Sequence, residues 1–262
     1  MKKSELVSFL NKKFIFANQE SWDNCGPTPK TFDDDEITKI FVSLDMNYQT
    51  IKQAIANNCN VIISHHPILI NDEEPIDQIK TTNENIITIL KQHKILNIAL
   101  HTCFDRCQHN NSFLIYQAIK KGILSSEYHF LDVNNYLLVT HLIQPMSLVE
   151  LLTKIKKSQI PFINKFRFLN TDKQKIIKTI VIGAGSCTSM LKNCLANKID
   201  CFFTGDVKWH NYLDGLNNEL IMVDIMHTSE RVFMNQIVSV INKQFTKLEL
   251  IVDNKLVEIE EI

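Results

Sequence analysis

The chain has 262 residues, 45% of them hydrophobic and 22% charged, with 28 basic residues balancing 29 acidic ones for a net charge of −1. That length and composition describe a globular protein with one large core or two modest ones. There is no polybasic tract, acidic tail or bilayer-spanning apolar run, so nothing favours a nucleic-acid or membrane partner. The first residues lack signal-peptide character, and the seven cysteines are scattered without a CxxC pair. We therefore expect reduced thiols in a cytoplasmic protein.

In chain order, residues 3–18 carry Leu6, Phe9, Leu10 and Phe14 at helical spacing. Residues 22–27 are rich in turn formers and read as a loop. Strand-like and helix-like segments then alternate, with a strand at 37–44, a helix at 48–57 and a strand at 60–64. A helix at 83–93, a strand at 95–100 and a helix at 111–121 follow, the last closing at Gly122. The pattern restarts with a strand at 136–143, a helix at 147–157 and a strand at 176–182. It continues with a helix at 190–197, strands at 201–204 and 220–224, and a long helix at 228–245. Residues 248–252 and 255–259 flank Asp253-Asn254 and suggest a terminal hairpin. Such alternation predicts an α/β fold of two lobes with mainly parallel or mixed sheets. We assign residues 1–127 with 222–262 to one lobe and 128–221 to the other.

Chemistry gathers where the predicted strands end. The apolar run Val61-Ile62-Ile63-Ser64 leads into His65-His66, and Pro67 stops the strand because proline has no N–H for the ladder. Further clusters are His101-Thr102-Cys103-Phe104-Asp105, Gly205-Asp206-Val207-Lys208-Trp209-His210, and the stretch from Asp224 to Glu230. Parallel strands bring their C-terminal ends to one edge of a sheet, where ligands collect. A mixed set of His, Asp and Glu suits Zn, Mn, Fe or Co better than Ca or Mg. Adjacent strand residues point to opposite faces, so His65 and His66 are expected to serve different ions. Gly183-Ala184-Gly185-Ser186 lacks the third glycine of a dinucleotide loop and does not read as one.

These residues carry a family resemblance. Trp22-Asp23-Asn24-x-Gly26, Ser64-His65-His66-Pro67, His101-Thr102-x-x-Asp105, Gly183-Ala184-Gly185-Ser186, Thr204-Gly205-Asp206-x-x-x-His210 and Asp224-x-x-His227 with Glu230 occur in that order. The chain resembles the type 2 GTP cyclohydrolase I homologues, also called NIF-three-like proteins, from Trp22 to the helix after Glu230. The resemblance implies a NIF-three-like fold with a dinuclear divalent-metal site at strand C-terminal ends, in a homohexamer built as a trimer of dimers. The ions would be Zn, Fe, Mn, Co or Ni, two per subunit. By match, His65, His66, Asp105, His227 and Glu230 are the ligands, with Glu230 as the bridge. His210 and His101 would line the site and move protons. The implied activity is hydrolysis of a C–N bond in a purine nucleotide ring. A metal-binding scaffold, regulator or metal chaperone is the alternative. One local departure bears on the ligands. Relatives usually carry glycine before the last ligand histidine, with the glutamate four positions after that histidine. Here Met226 precedes His227 and Glu230 follows by three. A competing alignment puts Met226 at the ligand position, which a hard or borderline metal disfavours.

Overall fold

The computed structural model describes residues 1–68 and 77–255. It runs α1 (Lys3–Phe14), β1 (Gly26–Thr28), β2 (Lys39–Ser43), α2 (Tyr48–Ala56), β3 (Val61–Ser64), α3 (Asp77–Gln92), β4 (Leu96–Ala99) and α4 (Thr102–Asp105). Then follow α5 (Asn111–Ile119), β5 (Leu124–Phe130), β6 (Leu137–Ser147), α6 (Leu148–Lys157), β7 (Ile176–Gly183) and α7 (Leu191–Ala196). The chain finishes with β8 (Cys201–Thr204), α8 (Trp209–Asn217), β9 (Ile221–Asp224), α9 (Val232–Gln244) and β10 (Glu249–Val252). Two compact units result, residues 1–106 with 233–262 and residues 107–232.

The first unit holds a five-stranded sheet in the order β1-β4-β3-β2-β10. Strands β10, β2, β3 and β4 run parallel, and β1 closes the edge antiparallel to β4. Strand β3 is buried along its whole length, which explains why it reads as a continuous apolar run rather than an alternating one. Helix α2 starts where it does because Asn47 caps it, its side chain accepting from the N–H groups of Gln49 and Thr50. Phe41, Ile51, Ala54, Ile62, Ile86 and Leu90 then pack one face of the sheet against α2 and α3.

The second unit holds the sheet β5-β6-β7-β8-β9, antiparallel through β7 and parallel from β7 to β9. Its strands serve two cores. Leu138, Ile180, Ile182, Phe203 and Val223 belong to one cluster, while Leu137, Val139, Val181, Phe202 and Met222 belong to another. Neighbours along a strand thus alternate between two covered faces. Ser147 caps α6 by accepting from the Glu150 N–H, and Glu150 pairs with Lys154 one turn on.

Several expectations change. The segment 3–18 is α1 followed by a separate 3₁₀ turn, Phe16–Asn18, after Ile15 takes a left-handed conformation. The turn-rich loop at 22–27 donates its last residues to β1, whose partners Asn97, Ile98 and Ala99 lie far along the chain on β4. Helix α8 and strand β5 were not foreseen. The first arm of the expected hairpin is β10, which joins the sheet edge parallel to β2. An extended segment after a helix can add to an open sheet edge as readily as fold onto its neighbour. The second arm lies almost wholly outside the described residues.

Candidate metal centre

In the first unit, Ser43, Ser64 and Ala99 share a register line across β2, β3 and β4. The residues just beyond that line therefore collect at one sheet edge, and they include Asp45, His65, His66 and His101. Strand β3 ends at Ser64, so strict alternation no longer governs the histidine pair. Their rings lie 5.0 Å apart, and ligand nitrogens of His65, His66 and His101 all fall within 4.8 Å of one another. The expectation that neighbouring strand positions send the two rings to opposite faces is thus corrected.

Each ring is oriented by what its Nδ1–H donates to. His65 donates to the Leu100 carbonyl at 2.8 Å, His66 to Asp45 Oδ1 at 2.7 Å, and His101 to Asp23 Oδ1 at 2.9 Å. Such bonds select the tautomer and turn Nε2 towards a ligand. Asp45 is itself set by its backbone, whose carbonyl accepts from Ser43 Oγ and Thr50 Oγ1. The fully buried His65 has Nε2 at 3.5 Å from Asp105 Oδ2.

Asp23 is a hub. Its buried carboxylate accepts from His101, from both the N–H and the hydroxyl of Thr102, from the Asn24 N–H and from Cys25 Sγ. Burial alone would raise its pKa. The hydrogen bonds and charge of His101, with those of Thr102 and Asn24, outweigh it and hold the group well below the usual carboxylate range.

In the second unit the parallel strands β7, β8 and β9 again end on one edge. Asp224, completely buried, ties the turns together. It accepts from the Val207 and Met226 N–H groups and pairs with Arg167 at 2.6 Å. Beyond it, His227 lies between two carboxylates, with Nδ1 at 2.6 Å from Asp206 Oδ2 and Nε2 at 3.0 Å from Glu230 Oε2. Burial works against protonation of this ring, yet Asp206 and Glu230 overcome it and push its pKa up to about 11. The surroundings are built to hold positive charge.

Glu230 is 4% exposed and fits into the loop after β7. A Cβ on Gly185 would lie 2.5 Å from Glu230 Oε1, and Gly185 itself has φ of +63°. The Gly-Ala-Gly-Ser loop is thus a mould for a carboxylate. Two other residues here have left-handed backbones that side chains seldom adopt, Asp206 at φ +53° and Met226 at φ +66°, ψ 144°. His210 is exposed in the first turn of α8, and its side chain makes no hydrogen bond among the described residues.

The donor spacing fits a metal. Ligands about 2.0–2.2 Å from a tetrahedral ion are roughly 3.4 Å apart. The His65–Asp105 and His227–Glu230 pairs, at 3.5 and 3.0 Å, straddle that figure. Residues that sequence reasoning passed over are Asp45, which no motif marked, and the roles of Asp23 and Gly185, which lay inside motifs read for other reasons.

Two α/β units, each gathering histidines and carboxylates at the C-terminal edge of its parallel strands, define a protein with metal-capable donor sets. The family model Duf34/NIF3 (NGG1p interacting factor 3) matches residues 1–260, and the chain belongs to that family. A relative from Ureaplasma parvum, named GTP cyclohydrolase 1 type 2 homolog, is 30% identical over 93% of this chain and 90% of its own length. One of the same name from Campylobacter jejuni is 31% identical over 89% of each chain. The crystal structure of a hypothetical protein from Staphylococcus aureus matches with a TM-score of 0.82 at 22% identity, covering 100% of this chain and 99% of that one. Among the described residues no helix is long and apolar enough to cross a membrane.

Proposed function

We propose that this protein is a divalent-metal-dependent hydrolase in which His65, His66, Asp105, His227 and Glu230 would hold two divalent ions. One observation carries the reading: His65, His66, His101 and His227 all spend Nδ1 on a carbonyl or carboxylate, the arrangement that prepares Nε2 for ligation. The backbone at Met226 favours His227 over Met226 as ligand. Its φ of +66° suits glycine, so Met226 takes the place where the family pattern has glycine. Zn, Fe, Mn, Co or Ni suit the donor set.

Bound ions would supply Lewis acidity and an activated water. The chain's own groups do the rest. Asp45 and Asp206 orient His66 and His227, Gly185 admits the Glu230 carboxylate, and Asp23 holds His101 with its Nδ1 proton in place. His101, its Nδ1 bonded to Asp23, has Nε2 left to take up or return a proton, and His210 is the other histidine proposed for that task. The relatives' name, GTP cyclohydrolase 1 type 2 homolog, points to a purine nucleotide whose ring C–N bond is hydrolysed with release of formate. The reading includes a homohexamer and a cytoplasmic location, the latter in keeping with seven unbridged cysteines.

The test is to load the purified protein with each metal, count the ions, and follow formate and phosphate release from GTP and other nucleotides. Turnover that disappears in both His66→Ala and Glu230→Ala, with assembly mass unchanged, supports the proposal. Stoichiometric metal without turnover on a broad nucleotide panel overturns it in favour of a metal-binding scaffold or chaperone.

A further inference from the structure

We infer that Trp22 is the stacking platform for the planar heteroaromatic ring of the substrate, and that it presents that ring beside His101. This rests on the purine-nucleotide reading above for the class of ring, but its evidence is separate. Trp22 is one of two tryptophans in the chain. It belongs to none of the core clusters described above, and it is only partly buried. Its indole packs edge-on against the His101 imidazole, with ring centroids 5.7 Å apart and an interplanar angle of 71°. His101 in turn packs against both His65 and His66, at 5.2 and 5.4 Å. The indole is therefore one ring removed from the metal-capable histidines. Its Nε1–H makes no hydrogen bond among the described residues.

The loop around Trp22 is held more firmly than a surface loop needs to be. On one side the Glu20 N–H donates to Thr102 Oγ1, and the Asp23 N–H donates to the Glu20 carbonyl. On the other, the Cys25 N–H donates to Gln19 Oε1. Between them the Asp23 carboxylate is saturated by donors from residues 101 and 102. An indole fixed in this way loses little freedom when a ligand settles on it. A flat apolar surface with an unspent N–H donor suits a ring that has π faces and lone-pair nitrogens or carbonyls at its rim. A purine base has both. Sugar phosphates and inorganic phosphates have no such face.

Intrinsic fluorescence tests this in the full-length, metal-loaded chain. Trp209→Phe removes the other indole, which is 66% exposed on α8. Trp22 emission is then titrated in the cold with GMP and with GTP, and with ribose 5-phosphate and inorganic triphosphate as ring-free controls. Saturable quenching by both nucleotides and by neither control is the expected result. In the chain with both tryptophans, dialysis should show Trp22→Ala binding GMP at least about tenfold more weakly, the scale of one base–aromatic stack, with metal content unchanged. Trp22→Phe should recover most of that affinity. Absence of quenching up to millimolar nucleotide, or equal GMP affinity in Trp22→Ala, overturns the inference. Turnover of GTP with unchanged KM in Trp22→Ala sinks the stacking role while leaving the hydrolase reading intact. Quenching without turnover does the reverse.

Discussion

The Gly185 mould allows the placement of Glu230 to be tested with an internal control. Gly185 and Gly122 both have left-handed backbones, at φ +63° and +70°. Alanine at either position pays the cost of that conformation, about 1–2 kcal/mol. At Gly122 nothing lies within 4 Å of the added Cβ, so that cost is all Gly122→Ala should show. At Gly185 the new carbon would sit 2.5 Å from Glu230 Oε1 and 3.1 Å from its Cδ, where ordinary contact begins at 3.4 Å. The loop cannot retreat easily. The Gly185 carbonyl accepts from the Gly205 N–H at 2.7 Å and from Thr204 Oγ1 at 2.9 Å. The carboxylate must therefore move, by about 1 Å, and metal sites tolerate only about 0.2 Å of ligand displacement. We expect Gly122→Ala to lower the melting temperature of the metal-free protein by about 2–4 °C per kcal/mol and leave metal affinity unchanged. Gly185→Ala should lower it further and weaken metal binding by at least roughly tenfold, read by competition with a chromophoric chelator. If Gly185→Ala matches Gly122→Ala in stability and the wild type in affinity, Glu230 is not a ligand held by this loop.

Asp45→Asn and Asp206→Asn should each weaken metal binding by about 10–100-fold while all five proposed ligands remain, since the outer partner sets the tautomer; a chelator titration that shows no change would remove both from the centre. The metal-free protein should also lose stability as pH rises. The pKa of His227 is raised in the fold, so its contribution is complete below about pH 6.5 and fades as pH climbs towards about 11. The side chain is 37% exposed, so solvent screens part of the effect. His227→Gln should flatten that slope in melting curves, and an identical slope in both proteins would refute the assignment. Asp23→Asn should destabilise the fold by about 2–3 kcal/mol, because the donors of Thr102 and Asn24 would meet an amide in place of a carboxylate. The pKa of Asp23 is depressed, so the wild type should keep this contribution above about pH 4 and lose it on further acidification. Urea unfolding at pH 7 and pH 3 measures both, and an equal gap between the two proteins at both pH values would count against the buried carboxylate.

Strand β3 was legible because four buried apolar residues end at a proline, and α2 and α6 because Asn47 and Ser147 stand before amphipathic runs. Strand β1 and helix α8 were not. The first is three residues long and exists only through its partner β4. The second has a polar surface broken by Gly215, whose added Cβ would meet the Leu220 carbonyl at 2.7 Å. Close packing against β9, rather than helical propensity, explains that glycine.

The site divides in the same way. Histidine next to histidine after a strand, and Asp or Glu at set distances from them, are visible in one dimension, since local spacing survives as sequence pattern. The chain alone therefore determined the α/β alternation, the family and the identity of the candidate ligands. It could not show that Asp45 serves His66 from 21 positions away, or that Asp23 serves His101 from 78. Nor could it show that a loop glycine makes room for Glu230 from 45 positions away. Those pairings leave no periodic trace. They arise when parallel strands bring their ends to a common edge, and only the tertiary structure decides which carboxylate then faces which ring.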